Sequence, residues 1–188
     1  MNIVPAKIFD IPEILKIERA SFIPAIQETP ATFQERLEIF PQGFLLLQDT
    51  SSTAIEKNGH SVAAGYFTSE IWNFIPKTDD FFALNHSSKK LHNPNGTVLY
   101  VSSFALFPEY RGKGLAQSFF KESLNSICRA FPDILTVLLL VNEEWKGACR
   151  IYEKNGFTQL RKIEKFFPSL HNVFSDGILM TASANLFR

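Results

Sequence analysis

The sequence predicts one α/β domain over residues 1–188, in which helices lie on the faces of a mixed β-sheet. Three observations predict it. A chain of 188 residues has the size of one ordinary domain. Its composition, 45% hydrophobic and 20% charged, is sufficient for a substantial buried core. The periodic segments follow the order β-α-α-β-β-β-α-β-α-β-β, without an internal repeat.

The amino-terminal segments predict a strand followed by two helices. Val4–Ile8 is short and apolar, which is typical of a strand. Asp10 provides a capping carboxylate before apolar residues at helical spacing, so a helix is predicted over Ile11–Phe22. Thr32–Phe40 is the second predicted helix, because its first hydroxyl and Glu35 form a capping box.

Two strands and a long connection follow. Phe44–Gln48 and Ser61–Trp72 are apolar and partly β-branched or aromatic, which favours strands. The polar segment Asp49–Gly59 between them is predicted to be a turn or hairpin loop. Asn73–Gly96 is rich in Pro, Asn, Asp and Ser, so it is predicted to be a long connection. Connections of this length often act as lids or mobile segments.

The remaining segments alternate between strands and helices. A glycine pair opens one helix, Pro132 stops it, and Gly156 closes the next. The predicted elements are, in order, a strand over Thr97–Leu106, a helix from Leu115 to Phe131, a strand over Ile134–Val141, a helix over Lys146–Asn155, and strands over Phe157–Phe167 and Gly177–Ala184.

Charge and composition exclude several classes of protein. The 19 basic and 19 acidic side chains give no net charge, whereas a nucleic-acid binder carries a basic surface. No apolar run approaches the roughly 20 residues of a membrane span, and the start lacks signal-peptide features. We therefore expect a cytoplasmic monomer or homodimer with no nucleic-acid or membrane partner. The histidines lack metal-ligand spacing, so no metal is expected.

Arg111–Ala116 is the strongest chemical pattern, because it joins a strand to a helix through two glycines. Small residues let the backbone turn its N–H groups inward, and the helix start adds partial positive charge. Such a turn accepts a phosphate or pyrophosphate, to which Arg111 and Lys113 can add charge. The Walker and dinucleotide glycine patterns are absent. An ordinary glycine turn is the alternative interpretation.

Two motifs together resemble the signatures of the GNAT superfamily of acetyl-CoA-dependent N-acetyltransferases. Phe104–Gly114 resembles the strand-to-loop signature, whose loop follows the pattern R/Q-x-x-G-x-G/A. Val141-Asn142 and Ala148–Phe157 resemble the second signature, V-N followed by A-x-x-x-Y-x-K-x-G-F. This resemblance implies the GNAT acyl-CoA N-acyltransferase fold, a mixed and mostly antiparallel sheet flanked by helices, with acetyl-CoA as cosubstrate.

The resemblance also implies how the cosubstrate is held. The main chain of Phe104, Ala105 and Leu106 would pair with the pantetheine arm like an added strand. The pyrophosphate would lie against the anion loop, and Asn142 of the second motif completes the set. The loop residues concerned are Arg111, Gly112, Lys113, Gly114, Leu115 and Ala116.

Tyr152 matches the tyrosine that protonates the departing CoA sulfur in this family, so the resemblance implies a general acid at this position. A purely packing role before the C-capping Gly156 is the alternative. The resemblance implies direct attack of a neutral amine on the thioester within a ternary complex, without a covalent enzyme intermediate. Trp145 stands where the family often has an asparagine that contacts the cofactor.

Glu18 belongs to a segment, Lys16–Ile23, that is similar to a stretch of the serotonin (arylalkylamine) N-acetyltransferases. It lies on the apolar stripe of its helix together with Ile14 and Phe22, so its carboxylate is predicted to point inward. A buried carboxylate needs a partner or a raised pKa, and a raised pKa suits a base. A structural hydrogen bond or salt bridge remains the alternative.

Alignment on Arg111 shows a departure from that branch. Its two histidines on the strand before the phosphate loop correspond to Tyr100 and Ser102 here. We therefore expect a different proton route, through Glu18, Tyr100, Ser102 and ordered water. Ser102 is accordingly a candidate catalytic residue beside Glu18 and Tyr152.

The predicted function is acetyl transfer from acetyl-CoA to a small primary amine, with aromatic amines and polyamines as candidates. Acetylation of a protein amino terminus or lysine is the alternative within the fold. A non-catalytic acyl-CoA-binding module is the alternative from a different class. The walls of the acceptor site are expected in Phe22–Phe44 and Asn73–Gly96.

Overall fold

The computed structural model describes residues 1–50, 62–168 and 173–188, and within these ranges seven strands form a single sheet. The strands are β1 Asn2–Pro5, β2 Phe44–Asp49, β3 Val62–Trp72, β4 Val98–Leu106, β5 Thr136–Asn142, β6 Thr158–Pro168 and β7 Phe174–Ser183. Their order across the sheet is β1-β2-β3-β4-β5-β7-β6. Only β4 and β5 pair in parallel, so the predicted mixed, mostly antiparallel sheet is confirmed.

Amphipathic helices pack on both faces of this sheet. They are α1 Ile11–Ser21, α2 Pro30–Ile39, the short α3 Ser88–Leu91, α4 Leu115–Ala130 and α5 Lys146–Lys154. On one face, Ile14 and Phe33 of α1 and α2 pack with Tyr66 of β3. On the other face, Phe120 and Tyr152 of α4 and α5 join the main core. The predicted α/β layers are therefore confirmed.

Two predicted boundaries near the amino terminus are wrong. The first strand ends at Pro5 instead of Ile8, because a 3-10 turn follows in which the Asp10 carboxylate accepts the Lys7 N–H at 2.7 Å. Helix α2 begins at Pro30 instead of Thr32. Its cap is Thr29, whose hydroxyl accepts the N–H of Thr32 at 3.2 Å, and a proline suits the first turn because its missing N–H leaves no unpaired donor.

The connection between β3 and β4 is packed against the domain. It contains a 3-10 turn over Asp79–Phe82 and the short helix α3. Glu35, predicted as part of a capping box, instead accepts hydrogen bonds from the Ser87 hydroxyl and the Lys89 N–H. These contacts bind the connection to α2. Residues 51–59 of the predicted hairpin loop Asp49–Gly59 lie outside the described ranges, and so do His60 and His171.

Candidate active site

A cavity opens where β4 and β5 separate. The two strands pair over Val98–Val101 and Thr136–Leu139. Beyond this point a cavity of about 1080 Å³ extends between them. The edge of β4 that faces β5 is thus unpaired over the backbone of Phe104, Ala105 and Leu106, all of which line the cavity.

A β-bulge in β4 forms part of the cavity wall. Val101 pairs with Ser69 and Ser103 pairs with Thr68, so Ser102 is the additional residue of β4. A bulge of this kind can turn two successive side chains to the same face. The Ser102 and Thr68 hydroxyls lie 2.8 Å apart, and the Ser103 hydroxyl lies 2.8 Å from the Tyr66 hydroxyl.

Glu18 of α1 is buried beside this bulge, with only 1% of its surface exposed. Its carboxylate accepts the Glu28 N–H at 2.8 Å and the Tyr66 O–H. Burial raises the pKa of Glu18 to about 7, although both hydrogen bonds oppose the increase. Because the Tyr66 hydrogen points to Glu18, Ser103 donates to the Tyr66 oxygen. A continuous hydrogen-bond chain therefore joins Glu18 to the bulge.

Tyr100 does not take part in this chain, contrary to the expected proton route. It lies under the β3–β4 connection, where its ring stacks on Trp72 with centroids 4.2 Å apart. Phe82 and His86 also contact it, and only 4% of its surface is exposed. Tyr100 is not among the residues that line the cavity, because the β3–β4 connection packs over this part of β4.

Tyr152 of α5 lines the cavity from the opposite side of the sheet. Its ring packs between Phe120 and Phe157, at centroid distances of 4.9 and 6.1 Å. Burial raises the pKa of Tyr152, so the phenol keeps its proton. The structure thus brings the predicted residues Glu18, Ser102 and Tyr152 to one cavity.

The anion loop has the backbone that its glycines predict. Gly112 and Gly114 have φ values of 75° and 78°, in the left-handed region that side chains disfavour. A Cβ added at either position would meet nothing within 4 Å, so the concave side is open. In the described residues, no hydrogen bond is formed by the N–H groups of residues 112–116. These groups and the start of α4 fit a phosphate of CoA.

The cationic side chains of the loop have other partners. Arg111 donates from Nε to the Leu106 carbonyl at 2.9 Å and from Nη2 to the Ser21 hydroxyl at 2.8 Å. Its guanidinium therefore lines the cavity while joining the loop to α1 and β4. Lys113 lies over the Tyr110 ring at 5.8 Å, and Leu115 packs against the main core. Neither of these two side chains lines the cavity.

Asn142, predicted to bind the cofactor, is not among the residues that line the cavity. Its Oδ1 accepts the Glu144 N–H at 2.9 Å, so the amide stabilises the turn into α5. Arg150 and Lys154 instead line the cavity from α5, which sequence analysis missed as charged residues of the site. Their spacing of one helical turn was the available signal. Trp145 also lines it.

The end of the cavity near Glu18 contains further residues that were not predicted individually. Ile26 and Glu28 from the α1–α2 connection and Leu84 from the β3–β4 connection line it. The Glu28 carboxylate is paired with the buried Arg36 guanidinium at 2.6 Å. Sequence analysis identified only the two segments that contain these walls, because local periodicity does not show which loop residues point inward.

Two structural features are absent from the described residues. No helix in residues 1–50, 62–168 or 173–188 combines the length and apolarity needed to cross a membrane. Within the same part of the chain, no group of three or more His, Cys, Asp and Glu side chains could hold a metal ion.

Comparisons with known proteins agree with this fold. A sequence model described as the acetyltransferase (GNAT) family matches residues 11–157. No curated protein sequence matches the chain. Among solved structures, the loading GNATL domain of CurA from Lyngbya majuscula has a TM-score of 0.76 at 14% identity, covering 98% of this chain and 98% of that chain.

Two further structures are similar in fold. The GphF GNAT-like decarboxylase in complex with isobutyryl-CoA has a TM-score of 0.74 at 13% identity, covering 98% of this chain and 100% of that chain. The ribosomal-protein-S18-alanine N-acetyltransferase from Escherichia coli has a TM-score of 0.68 at 16% identity, covering 97% of this chain and 93% of that chain. At these identities the likeness concerns the fold. The resemblance to the serotonin N-acetyltransferase branch is not supported by these matches.

Proposed function

Since this chain belongs to the acetyltransferase (GNAT) family, we propose that it transfers the acetyl group of acetyl-CoA to a small primary amine, by direct attack in a ternary complex. One observation carries the proposal. A single cavity joins an open anion loop at Gly112–Ala116 to a buried carboxylate at Glu18 and a phenol at Tyr152. The loop can bind the phosphates of a thioester cosubstrate, the carboxylate can deprotonate an amine, and the phenol can protonate the departing thiolate.

The cosubstrate would be held by main-chain groups and cations at one end of the cavity. Acetyl-CoA supplies an activated thioester carbonyl. The edge of β4 at Phe104, Ala105 and Leu106 lies beyond the pairing with β5 and would pair with the pantetheine amides like an added strand, although the Leu106 carbonyl also accepts a hydrogen bond from Arg111. The N–H groups of residues 112–116 would hold the pyrophosphate, while Arg150 and Lys154 add positive charge. Lys113 and Leu115 would contribute through their N–H groups alone.

Glu18 would accept the proton of the incoming ammonium. A pKa of about 7 leaves this carboxylate substantially ionised at neutral pH and still able to bind a proton. Ser103 would take the ammonium proton in the same step in which it passes its own proton to Tyr66 and Tyr66 passes its own to Glu18, so neither hydroxyl becomes an anion. Ser102, on the adjacent position of the bulge, is the alternative contact for the amine.

Tyr152 would donate its proton to the departing sulfur. As the amine nitrogen bonds to the carbonyl carbon, the carbon–sulfur bond breaks and the sulfur gains negative charge. The phenol is positioned on the α5 side of the cavity, opposite the Glu18 chain. Acid and base therefore act from different faces of the sheet, so the incoming and departing groups would not compete for one proton carrier.

The acceptor would be an amine with an apolar body. The end of the cavity near Glu18 combines carboxylates with apolar side chains, including Phe22, Ile26 and Leu84. Carboxylates suit an ammonium group, and apolar walls suit a carbon skeleton or aromatic ring. Acetylation of a protein amino terminus is the competing function, and one of the structures similar in fold is the ribosomal-protein-S18-alanine N-acetyltransferase.

A panel of amines in a thiol-release assay tests the proposal. The panel contains 2-phenylethylamine, tryptamine, spermidine, free lysine and peptides that begin with alanine or methionine. We expect CoA release with the aromatic amines and a higher kcat/KM for them than for the peptides. Preference for peptides would instead assign a protein acetyltransferase. Tight acetyl-CoA binding without turnover on any member would indicate a binding module.

A further inference from the structure

The β3–β4 connection contributes one apolar side chain, Leu84, to the acceptor end of the cavity. Leu84 is 39% exposed, and its chain neighbours Ala83 and Asn85 are exposed as well. It lines the cavity together with Ile26 and Glu28, which come from the α1–α2 connection. Two connections far apart in sequence therefore build this wall.

Asn85 holds Leu84 in place through three hydrogen bonds. Its Oδ1 accepts the Thr32 hydroxyl at 2.8 Å and the Thr29 N–H at 3.4 Å. Its own N–H donates to Glu28 Oε2 at 3.2 Å. Asn85 has φ of 58°, a left-handed conformation that asparagine tolerates better than most residues. The residue that follows Leu84 is therefore tied both to the cap of α2 and to a carboxylate of the cavity wall.

Buried charged side chains also hold this segment of the β3–β4 connection. His86 Nε2 lies 2.8 Å from Glu70 Oε1, and Glu70 also accepts the Trp72 indole N–H at 3.1 Å. The Arg36 guanidinium lies between Glu70 and Glu28, at 3.6 and 2.6 Å. Removal of one partner from such a buried network leaves an uncompensated charge. The position of Leu84 is thus set by a rigid support.

We propose that Leu84 is a specificity-determining residue for the acyl acceptor, and that Asn85 is the positioning residue that holds it against the acceptor. This inference rests on the proposed function. An apolar side chain in the wall limits the volume available to the carbon skeleton of the amine. Such walls discriminate strongly, since one methylene in an apolar pocket changes kcat/KM by roughly 10- to 200-fold.

Leu84→Ala tests the wall. The measurement is the ratio of kcat/KM for tryptamine over 2-phenylethylamine, with the KM for acetyl-CoA measured beside it. We expect the ratio to rise about tenfold, because removal of the methine and both methyl carbons enlarges the pocket, and the KM for acetyl-CoA to stay unchanged. Phe74→Ala is the matched control, because Phe74 is a large exposed side chain of the same connection outside the cavity lining.

Asn85→Gly tests the positioning role, since glycine keeps the left-handed backbone and loses the carboxamide. We expect the KM for the amine to rise at least fivefold and the size preference to weaken, with kcat within twofold and the melting temperature nearly unchanged. Asn93→Ala is the control, because its side-chain bonds to Asn73 and Asn95 lie outside the site.

The outcomes distinguish failure of the inference about Leu84 and Asn85 from failure of the proposed function. A wild-type enzyme that acetylates amines, with the same size preference after Leu84→Ala, overturns the role of Leu84 and leaves the proposed function standing. A lower melting temperature in Asn85→Gly with an unchanged KM for the amine makes Asn85 merely structural. Absence of turnover by the wild type on every amine and peptide overturns the proposed function and this inference with it.

Discussion

Tyr66 donates its phenolic hydrogen to the Glu18 carboxylate, and this contact connects α1 to the bulge of β4. The two residues are 48 positions apart, and both are almost completely buried. The bond links Glu18, which itself lines the cavity, to Ser103 of the bulge, while burial raises the pKa of the Glu18 carboxyl. A carboxylate that could have served packing alone is therefore connected to the point where the amine would bind.

Two substitutions of Gly114 distinguish the effect of side-chain charge in the anion loop from the effect of side-chain shape. Gly114→Asp places a negative charge beside the pyrophosphate, so we expect acetyl-CoA binding to be abolished. Gly114→Asn is the matched control, because both side chains have one shape and tolerate positive φ. Calorimetry should give at least about tenfold weaker binding for Asp than for Asn, equivalent to about 1.4 kcal/mol. Equal affinities of the two variants for acetyl-CoA would show that this loop does not bind the pyrophosphate.

Tyr152→Phe should lower kcat by about 10²–10⁴-fold, because the variant retains the packing against Phe120 and Phe157 and loses the proton donor. Affinity for acetyl-CoA should remain nearly the same, since the phenol acts on the departing thiolate. Tyr110→Phe is the control: it loses the hydroxyl bond to Asp49, outside the cavity lining. Wild-type turnover in a chemistry-limited assay would make Tyr152 a packing residue.

Glu18→Gln should lower kcat/KM for the amine, because the amide keeps the shape and removes the proton acceptor. The remaining rate should rise with pH as more of the amine arrives without its extra proton. Tyr66→Phe should also lower kcat/KM for the amine, since it interrupts the hydrogen-bond chain to Ser103. Tyr100→Phe, another buried tyrosine, should leave the profile alone because it lies outside the cavity lining. A normal pH–rate profile in Glu18→Gln would exclude Glu18 from proton transfer.

Glu18 should also make stability depend on pH. Its pKa rises from 4.5 to about 7 on folding, so between these values the folded state binds more protons than the unfolded state. The free energy of unfolding should therefore fall as pH rises from 4.5 through 7, by at most about 3 kcal/mol.

Urea unfolding at pH 4.5, 6 and 7.5 measures this dependence. Glu18→Gln should remove most of the decrease, and Glu38→Gln on the exposed surface of α2 should retain it. The prediction fails where wild type and Glu18→Gln lose stability in parallel over that range. Such a result would assign the pH dependence to other groups.

Local sequence determined the parts of the site whose members are near neighbours along the chain. The loop at Gly112–Ala116 could be predicted because two glycines and a helix start are sufficient to make the turn. The inward direction of Glu18 followed from helical spacing, and burial confirms it. The order of strands and helices was predictable for the same reason, apart from boundaries that proline and a capping threonine moved.

The partners of these residues were decided by tertiary structure alone. The bulge at Ser102 arises from the register between β3 and β4, and a one-residue shift of register is invisible in the alternation of a single strand. The register therefore brings Ser103 into contact with Tyr66, which bonds to Glu18. The packed β3–β4 connection covers Tyr100, whose ring stacks on Trp72. Long-range hydrogen bonds likewise placed Leu84 at the acceptor end. Because such contacts join segments far apart in the chain, periodicity within one segment carries no information about them.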